Sequence, residues 1–217
     1  MAESILLLVR HAETVDNVAQ RLSGWTDSDL SPRGEQQVRL LADHFNRAHG
    51  RAAALYASPL RRARRTAEAI GALTGHVPIF DPDLREMHFG ELDGLPFEEI
   101  RARYPHLMDE DKSADDEAIA WPGGETRAEF AERVMRVLHR IAAAHAGEQV
   151  AVVTHGGVIS FFLALLHGQP AAAWRNWLVG NASLTEVVWD PGTRTGRLLR
   201  SGDDAHLAAL TELEAPL

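Results

Sequence analysis

The sequence predicts an α/β fold, a three-layer sandwich in which a mostly parallel central sheet is covered by helices on both faces. Three segments are continuously apolar, at residues 5–9 (ILLLV), 52–57 (AAALYA) and 150–153 (VAVV). Such runs are typical of strands that are buried on both faces. Helical patterns separate these runs along the chain, and strands that alternate with helices favour a parallel sheet between two helical layers.

The helices are predicted from start signals and hydrophobic spacing. Ser31-Pro32 and Ser58-Pro59 each combine a capping side chain with an early proline, and open helices to about residues 46 and 73. Apolar residues at helical spacing predict a long amphipathic helix within residues 124–146. Five further elements are predicted: an edge strand (77–80), a buried helix (157–166), a short helix (171–178), a strand pair around a turn (184–189 and 196–200) and a C-terminal helical pattern (206–213).

Composition narrows the classes of function. The chain has 217 residues, with 22 Lys and Arg against 31 Asp and Glu, a formal net charge of −9 that opposes binding to nucleic acid or an anionic membrane surface. The absence of cysteine excludes thiolate metal sites and cysteine nucleophiles. Neither the first residues nor the longest apolar stretch fits a signal peptide or a membrane span of ~20 residues. We expect one cytoplasmic domain over residues 1–217. The acidic stretch 108–118 predicts an exposed loop, with an interdomain linker as the alternative.

Polar motifs follow all three strong strands. They are Arg10-His11-Ala12-Glu13-Thr14, Ser58-Pro59-Leu60-Arg61-Arg62 and Thr154-His155-Gly156-Gly157. The ends of parallel strands share one edge of a sheet, where ligands bind in open α/β folds. Histidines and arginines at one edge suit an anion, and the N-terminal amides of the helices that follow the second and third motifs also favour negative charge. Each residue alone has a structural interpretation; their convergence favours a site.

Helix geometry separates the arginines of the second motif. Ala63, Ala67 and Ile70 mark the buried stripe, and Arg62 borders it with its side chain tilted toward the N-terminus. Arg62 is therefore predicted to point into the crevice, whereas Arg64 and Arg65 are predicted to face water.

Five blocks in this chain resemble the motifs of the histidine phosphatase superfamily, the phosphoglycerate mutase-like group. They are LVRHAET, GWTDSDLSPRG, SPLRRARRTA, LREMHFGELDG and VVTHGGVI, in the order of the family and spread over residues 4–185. The first block has RHA where RHG is common. The resemblance implies a phosphoglycerate mutase-like fold and phosphoryl transfer through histidine, and we expect a metal-independent phosphatase that needs no cofactor.

The resemblance also assigns roles residue by residue. His11 would be the phosphorylated nucleophile and Glu86 the proton donor. Arg10, Arg62 and His155 would form the phosphate pocket. The positions that would contact the phosphoryl group or the rest of the substrate are Asn17, Ser23, Gly24 and Gly156.

These residue types suit phosphoryl transfer. Arginine offers bidentate donors to the phosphoryl oxygens, where charge must be stabilised. His11 needs a fixed tautomer, so its second ring nitrogen should donate to a backbone carbonyl. Leu84, Met87 and Phe89 would surround Glu86 with apolar groups that favour a protonated carboxyl, and Glu13 is the rival acid. No metal-ligand spacing such as HExxH is present, and the neighbouring arginines would repel a cation.

The resemblance leaves three functions open. A mutase would carry additional basic residues over the pocket, but residues 95–123 form a lid-like segment that contains the acidic stretch, and this favours a hydrolase of small phosphate esters. A cofactor-dependent phosphoglycerate mutase is the alternative, and a non-catalytic binding protein is a third. Trp121 could stack on a substrate ring or pack in the core. The resemblance also allows a homodimer, for which the late strand pair is one edge.

Overall fold

The computed structural model describes residues 2–108 and 121–213, and within them six strands form one sheet. The strands are β1 (Ser4–Arg10), β2 (Leu55–Ala57), β3 (Ile79–Phe80), β4 (Gln149–Thr154), β5 (Leu184–Asp190) and β6 (Thr195–Asp203). Their order in space is β3-β2-β4-β1-β5-β6. Neighbours from β3 to β1 are parallel, whereas β5 is antiparallel to both β1 and β6. The predicted mostly parallel sheet is confirmed, with an antiparallel hairpin along one side.

Helices pack on both faces of this sheet. They are α1 (Val15–Val18), α2 (Pro32–His49), α3 (Arg61–Thr74), α4 (Phe97–Arg103), α5 (Pro105–Met108), α6 (Arg127–Ala144), α7 (Gly156–Leu166) and α8 (Ala208–Leu213). Short 3-10 segments cover Pro82–Leu84, Gly90–Leu92, Ala171–Trp177 and Ala205–Leu207.

The alternation of side chains along β1 shows why the strands must be apolar throughout. Leu6 and Leu8 belong to the core that α6 and α7 cover, whereas Leu7 and Val9 belong to the core beneath α2 and α3. All four are completely buried. Because successive side chains of a strand point to opposite faces, a strand between two helical layers has no polar side. The three-layer sandwich is therefore confirmed.

The structure corrects several predicted boundaries. Helix α3 begins at Arg61 rather than at Ser58, because the Ser58 hydroxyl bonds the His155 ring instead of capping the helix. Helix α6 begins at Arg127, where Thr126 and Glu129 form a capping box. The predicted strand 52–57 is reduced to Leu55–Ala57, and the short helix near residue 171 is a 3-10 segment.

Register places the ends of three strands together. Arg10 pairs with Thr154 across β1 and β4, and Ala57 pairs with Val153 across β2 and β4. The residues that follow continue this alignment, since the His11 amide donates to the Thr154 carbonyl at 2.9 Å. All three sequence motifs therefore lie at one edge of the sheet.

One sequence prediction falls mostly on residues that the structure does not describe. The acidic stretch 108–118 lies outside the described residues from residue 109 onward.

Within the described ranges, no single helix is long and apolar enough to cross a membrane. The segments Gly156–Leu166 and Ala171–Trp177 meet the criteria of length and composition only as a pair, which is bent by 111°.

Candidate active site

His11 follows β1 and is held in one tautomer. Its Nδ1 lies 2.8 Å from the carbonyl oxygen of Ala12, which can only accept, so Nδ1 carries the proton. Nε2 then presents a lone pair and accepts from Arg62 Nε at 3.2 Å. Burial, followed by the Arg62 and Arg10 cations, holds the pKa of His11 well below its ordinary value. The predicted backbone acceptor is found, and the imidazole is neutral.

Arg62 points into the crevice as the helix geometry predicts. It is 1% exposed, and its guanidinium also donates to the carbonyls of Thr26 at 2.9 Å and Gly24 at 2.7 Å. Arg10 lies on the other side and donates to the Val179 carbonyl. Burial lowers the pKa of both arginines from the ordinary value, while the Glu86 carboxylate acts in the opposite direction.

The other arginines of α3 face outward, with one difference from the prediction. Arg65 is exposed and pairs with Glu35 at 2.9 Å. Arg64 does not simply face water, because its guanidinium lies 4.1 Å from the centroid of the Phe80 ring.

His155 lies behind His11 and is completely buried. The two ring centroids are 5.2 Å apart, and His155 Nε2 bonds the Ser58 hydroxyl at 2.7 Å. Its Nδ1 has no hydrogen-bond partner among the described residues. Burial, followed by the nearby cations Arg62, Arg10 and Arg133, holds its pKa well below the ordinary value. His155 is therefore neutral before an anion binds.

Glu86 reaches the same crevice from an irregular connection between the 3-10 segments. Its carboxylate accepts from the amides of Met87 and Gly157, each at 2.9 Å. A Cβ at Gly157 would overlap Glu86 Oε1, so the approach requires glycine at this position. Leu84 and Met87 are buried as predicted, but the carboxylate itself meets two donors rather than only apolar groups.

The N-terminal amides of the two helices bind carboxylates of the protein itself. In α7 the Gly157 amide donates to the Glu86 carboxylate, and in α3 the Arg61 amide donates to the Asp27 carboxylate at 2.9 Å. The predicted preference for negative charge is met, but the charges there are side chains.

Asn17, Ser23, Gly24 and Gly156 line one cavity of about 720 Å³ together with Arg10, His11, Arg62 and Glu86. His155 is the one predicted site residue that does not line it. Glu13 also lies on the wall, but its carboxylate accepts from the Ser31 hydroxyl at 2.6 Å.

Trp121 lines the cavity and is packed tightly against its neighbours there. It is 8% exposed, and its indole donates to the Met87 sulfur at 3.0 Å. Its ring also meets Phe89 edge-on, with 4.9 Å between centroids.

Sequence reasoning missed two residues that hold the site. Arg133 donates to the carbonyls of Asp83, Arg85 and Glu86 and to both oxygens of Glu125. Its position on the buried stripe of α6, between Phe130 and Val137, was a signal, because an arginine there needs partners. Asn181 donates to the His11 carbonyl at 3.1 Å, and no sequence pattern marks it.

The sequence matches the histidine phosphatase superfamily (branch 1) over residues 6–202. A metal-independent phosphoserine phosphatase of Arabidopsis thaliana is 36% identical over 187 residues, which cover 85% of this chain and 78% of the relative. A probable phosphoglycerate mutase of Yersinia enterocolitica is 33% identical over 214 residues, which cover 96% and 98%. The solved structure of a mycobacterial glucosyl-3-phosphoglycerate phosphatase matches with a TM-score of 0.81 at 30% identity, covering 93% of this chain and all of that one. This chain, as its five motifs predict, belongs to the histidine phosphatase superfamily, branch 1.

Proposed function

We propose that this chain hydrolyses phosphomonoesters without a metal ion, through a phosphohistidine formed at His11. The observation that carries the proposal is the His11 ring, neutral and fixed by Ala12, with its Nε2 lone pair beside the buried Arg62 guanidinium. Its phosphatase relatives make the chain a phosphoric monoester hydrolase, and the mutase alternative has less support.

In the first step, His11 Nε2 attacks phosphorus, and the bond from phosphorus to the ester oxygen breaks. The proton stays on Nδ1, where it is hydrogen-bonded to the Ala12 carbonyl, so the phosphorylated ring is cationic and leaves readily in the next step. Arg62 and Arg10 bind the phosphoryl oxygens, where negative charge must be stabilised. His155 would donate to the same group through Nδ1, the ring nitrogen that the Ser58 contact leaves available.

Glu86, as the protonated carboxylic acid, would supply the proton that the leaving alkoxide needs and become a carboxylate. In the second step the same carboxylate would accept a proton from water as the water attacks phosphorus. The bond between nitrogen and phosphorus then breaks, and inorganic phosphate leaves with His11 restored. The amides of Met87 and Gly157 orient the carboxylate for both transfers.

Three further proposals accompany this function. Residues 1–217 form one catalytic domain in which residues 95–123 act as a lid, its acidic part lying outside the described residues. The enzyme is cytoplasmic, and a homodimer through the edge strand β6 remains a prediction.

Phosphate release from p-nitrophenyl phosphate in EDTA tests the proposal. We expect steady release, and an acid-labile phosphoprotein when the reaction is quenched. 3-Phosphoglycerate, with and without its bisphosphorylated cofactor, is assayed in parallel. Interconversion of phosphoglycerates without phosphate release would instead support the mutase.

Gly157→Ala tests the role of Glu86 without altering the carboxylate. The added Cβ displaces the Glu86 side chain away from the amide of residue 157, so we expect kcat to fall by roughly 10- to 100-fold, as for loss of a positioned acid. Gly180→Ala is the matched control, because nothing lies closer than 3.9 Å to a Cβ there. Equal activity of the two variants would argue against Glu86 as the acid.

Arg133→Gln tests whether the connection that carries Glu86 needs its anchor. The variant removes the guanidinium that donates to three carbonyls and to Glu125, so we expect a lower Tm and a kcat reduced by about 10-fold or more, with KM less affected. Arg136→Gln, on the exposed side of the same helix, is the control. A variant that loses only Tm would make Arg133 purely structural.

A further inference from the structure

Asn17 lines the cavity, and the backbone fixes the orientation of its side-chain amide. Its Oδ1 lies 3.1 Å from the Thr14 N–H, and because a backbone N–H can only donate, the atom in this position must be the amide oxygen. The same two residues form the capping box of α1, in which the Thr14 hydroxyl accepts from the Asn17 N–H. The amide nitrogen of Asn17 has no hydrogen-bond partner among the described residues, so its two N–H groups are available to a ligand.

Asn181 supplies a second donor to the same oxygen. Its Nδ2 lies 3.1 Å from the His11 carbonyl, which can only accept, so this atom must be the amide nitrogen. The same nitrogen lies 3.2 Å from Asn17 Oδ1. Two different backbone groups therefore fix the polarity of the two amides, and that polarity suits the contact between them. Rotation of the Asn17 amide by half a turn would place its nitrogen against two donors, so Asn181 and Thr14 together hold its N–H groups on the other side.

The turn that carries Asn181 adopts an unfavourable backbone conformation. Ala182 has a φ of 56° and is completely buried, although glycine is the residue that adopts this left-handed region freely. A conformation of this kind persists only where its surroundings determine it, and such conformations are concentrated at functional sites. Here the Ala182 N–H donates to the His11 carbonyl at 3.1 Å, beside the bond from Asn181. The turn thus directs two donors at the backbone of the nucleophile.

We infer that Asn181 is a positioning residue for phosphoryl transfer: it holds the Asn17 amide so that its N–H groups donate to the oxygens of the transferred phosphoryl group. The bond from Asn181 to the His11 carbonyl ties this donor to the backbone of the attacking residue, so the nucleophile and the donor keep a fixed relation. Negative charge on the phosphoryl oxygens must be stabilised in the transition state, and a donor that is already in place does this best. This role rests on the proposed function, in which His11 attacks phosphorus.

A double-mutant cycle on Asn17 and Asn181 tests this role with p-nitrophenyl phosphate as the substrate. Asn181→Ala removes one of the two donors to Asn17 Oδ1. The His11 carbonyl keeps its bond from the Ala182 N–H. We expect kcat to fall by roughly 5- to 10-fold and KM to change by less than about 2-fold, the scale of one hydrogen bond that acts in the transition state. Asn17→Ala should reduce kcat at least as much, and in that background Asn181→Ala should reduce it further by no more than about 2-fold, because its partner is absent.

Two further variants serve as controls for the cycle. Asn46→Ala, at an exposed asparagine of α2, should keep the wild-type kcat. Asn181→Leu keeps the branched shape of the side chain without its donors, and it replaces the alanine variant in the cycle if that variant has a lower Tm.

Losses that multiply in the double variant would give Asn181 a role independent of Asn17 and would overturn the inference. A loss below about 2-fold in Asn181→Ala alone would overturn it as well. Failure of the proposed function would look different, because the wild-type protein would then release no phosphate from p-nitrophenyl phosphate and form no phosphoprotein. That result would also remove the role of Asn181, since no phosphoryl group would be transferred.

Discussion

Replacing His11 by alanine should abolish the phosphoprotein and reduce turnover by on the order of 10⁴-fold or more, as removal of a nucleophile does in other covalent enzymes. The effect is large because Nε2 would form the bond to phosphorus, and the structure offers no second lone pair in the same position among the described residues. The nearest ring, His155, lies 5.2 Å away between centroids and is tied to Ser58. The measurement is phosphate release together with acid-labile label on the protein.

Phosphate binding provides the control for this variant. Arg62 keeps its bonds to the Gly24 and Thr26 carbonyls when His11 is shortened, so the anion pocket should remain. We therefore expect His11→Ala to bind inorganic phosphate and to unfold near the wild-type Tm. A variant that binds phosphate yet still turns over at a substantial rate would exclude the covalent route.

The convergence of the site could be predicted from sequence because it depends on the sheet. Apolar runs identified β1, β2 and β4 as buried strands, and parallel strands bring their ends to one edge. The tilt of helical side chains likewise separated Arg62 from Arg65. These inferences need only periodicity, which is local in the sequence and robust to errors of a few residues at each boundary.

The hydrogen bonds that hold the site residues in position could not be predicted, because they join segments that are irregular and far apart in the sequence. Glu86 lies in a connection without regular hydrogen bonding, and its conformation depends on Arg133, 47 residues further along the chain. Asn181 reaches the His11 carbonyl across a sequence separation of 170 residues. The Ser58 hydroxyl carried a helix-capping pattern, yet it bonds His155 Nε2, because a completely buried ring nitrogen needs a hydrogen-bond partner.

The resemblance to the superfamily and the physical reasoning contribute different information. Motifs assign the nucleophile and the acid, but they do not say why His11 is neutral. The structure supplies that reason, since burial and two guanidinium groups disfavour a second proton on the ring. The same cations would bind the phosphoryl oxygens, so one arrangement both prepares the nucleophile and stabilises the charge it generates.

Arg62→Lys should lower kcat/KM by roughly 10²- to 10³-fold, the scale associated with loss of a preorganised donor to developing charge. The guanidinium of Arg62 meets three acceptors at once, at 3.2 Å from His11 Nε2, 2.9 Å from the Thr26 carbonyl and 2.7 Å from the Gly24 carbonyl. A lysine ammonium cannot match this planar geometry, and when buried it loses its proton more readily than a guanidinium. The loss would therefore measure what the planar guanidinium and its permanent charge contribute together.

Arg65→Lys is the matched control for this substitution. Arg65 lies three residues along the same helix, and its only described ion pair is an exposed contact with Glu35, so kcat/KM should stay within about 2-fold of wild type. If Arg62→Lys behaved in the same way, the pocket would require only a cation. The bidentate geometry would then have no catalytic role, and the tautomer of His11, rather than its guanidinium neighbour, would account for its reactivity.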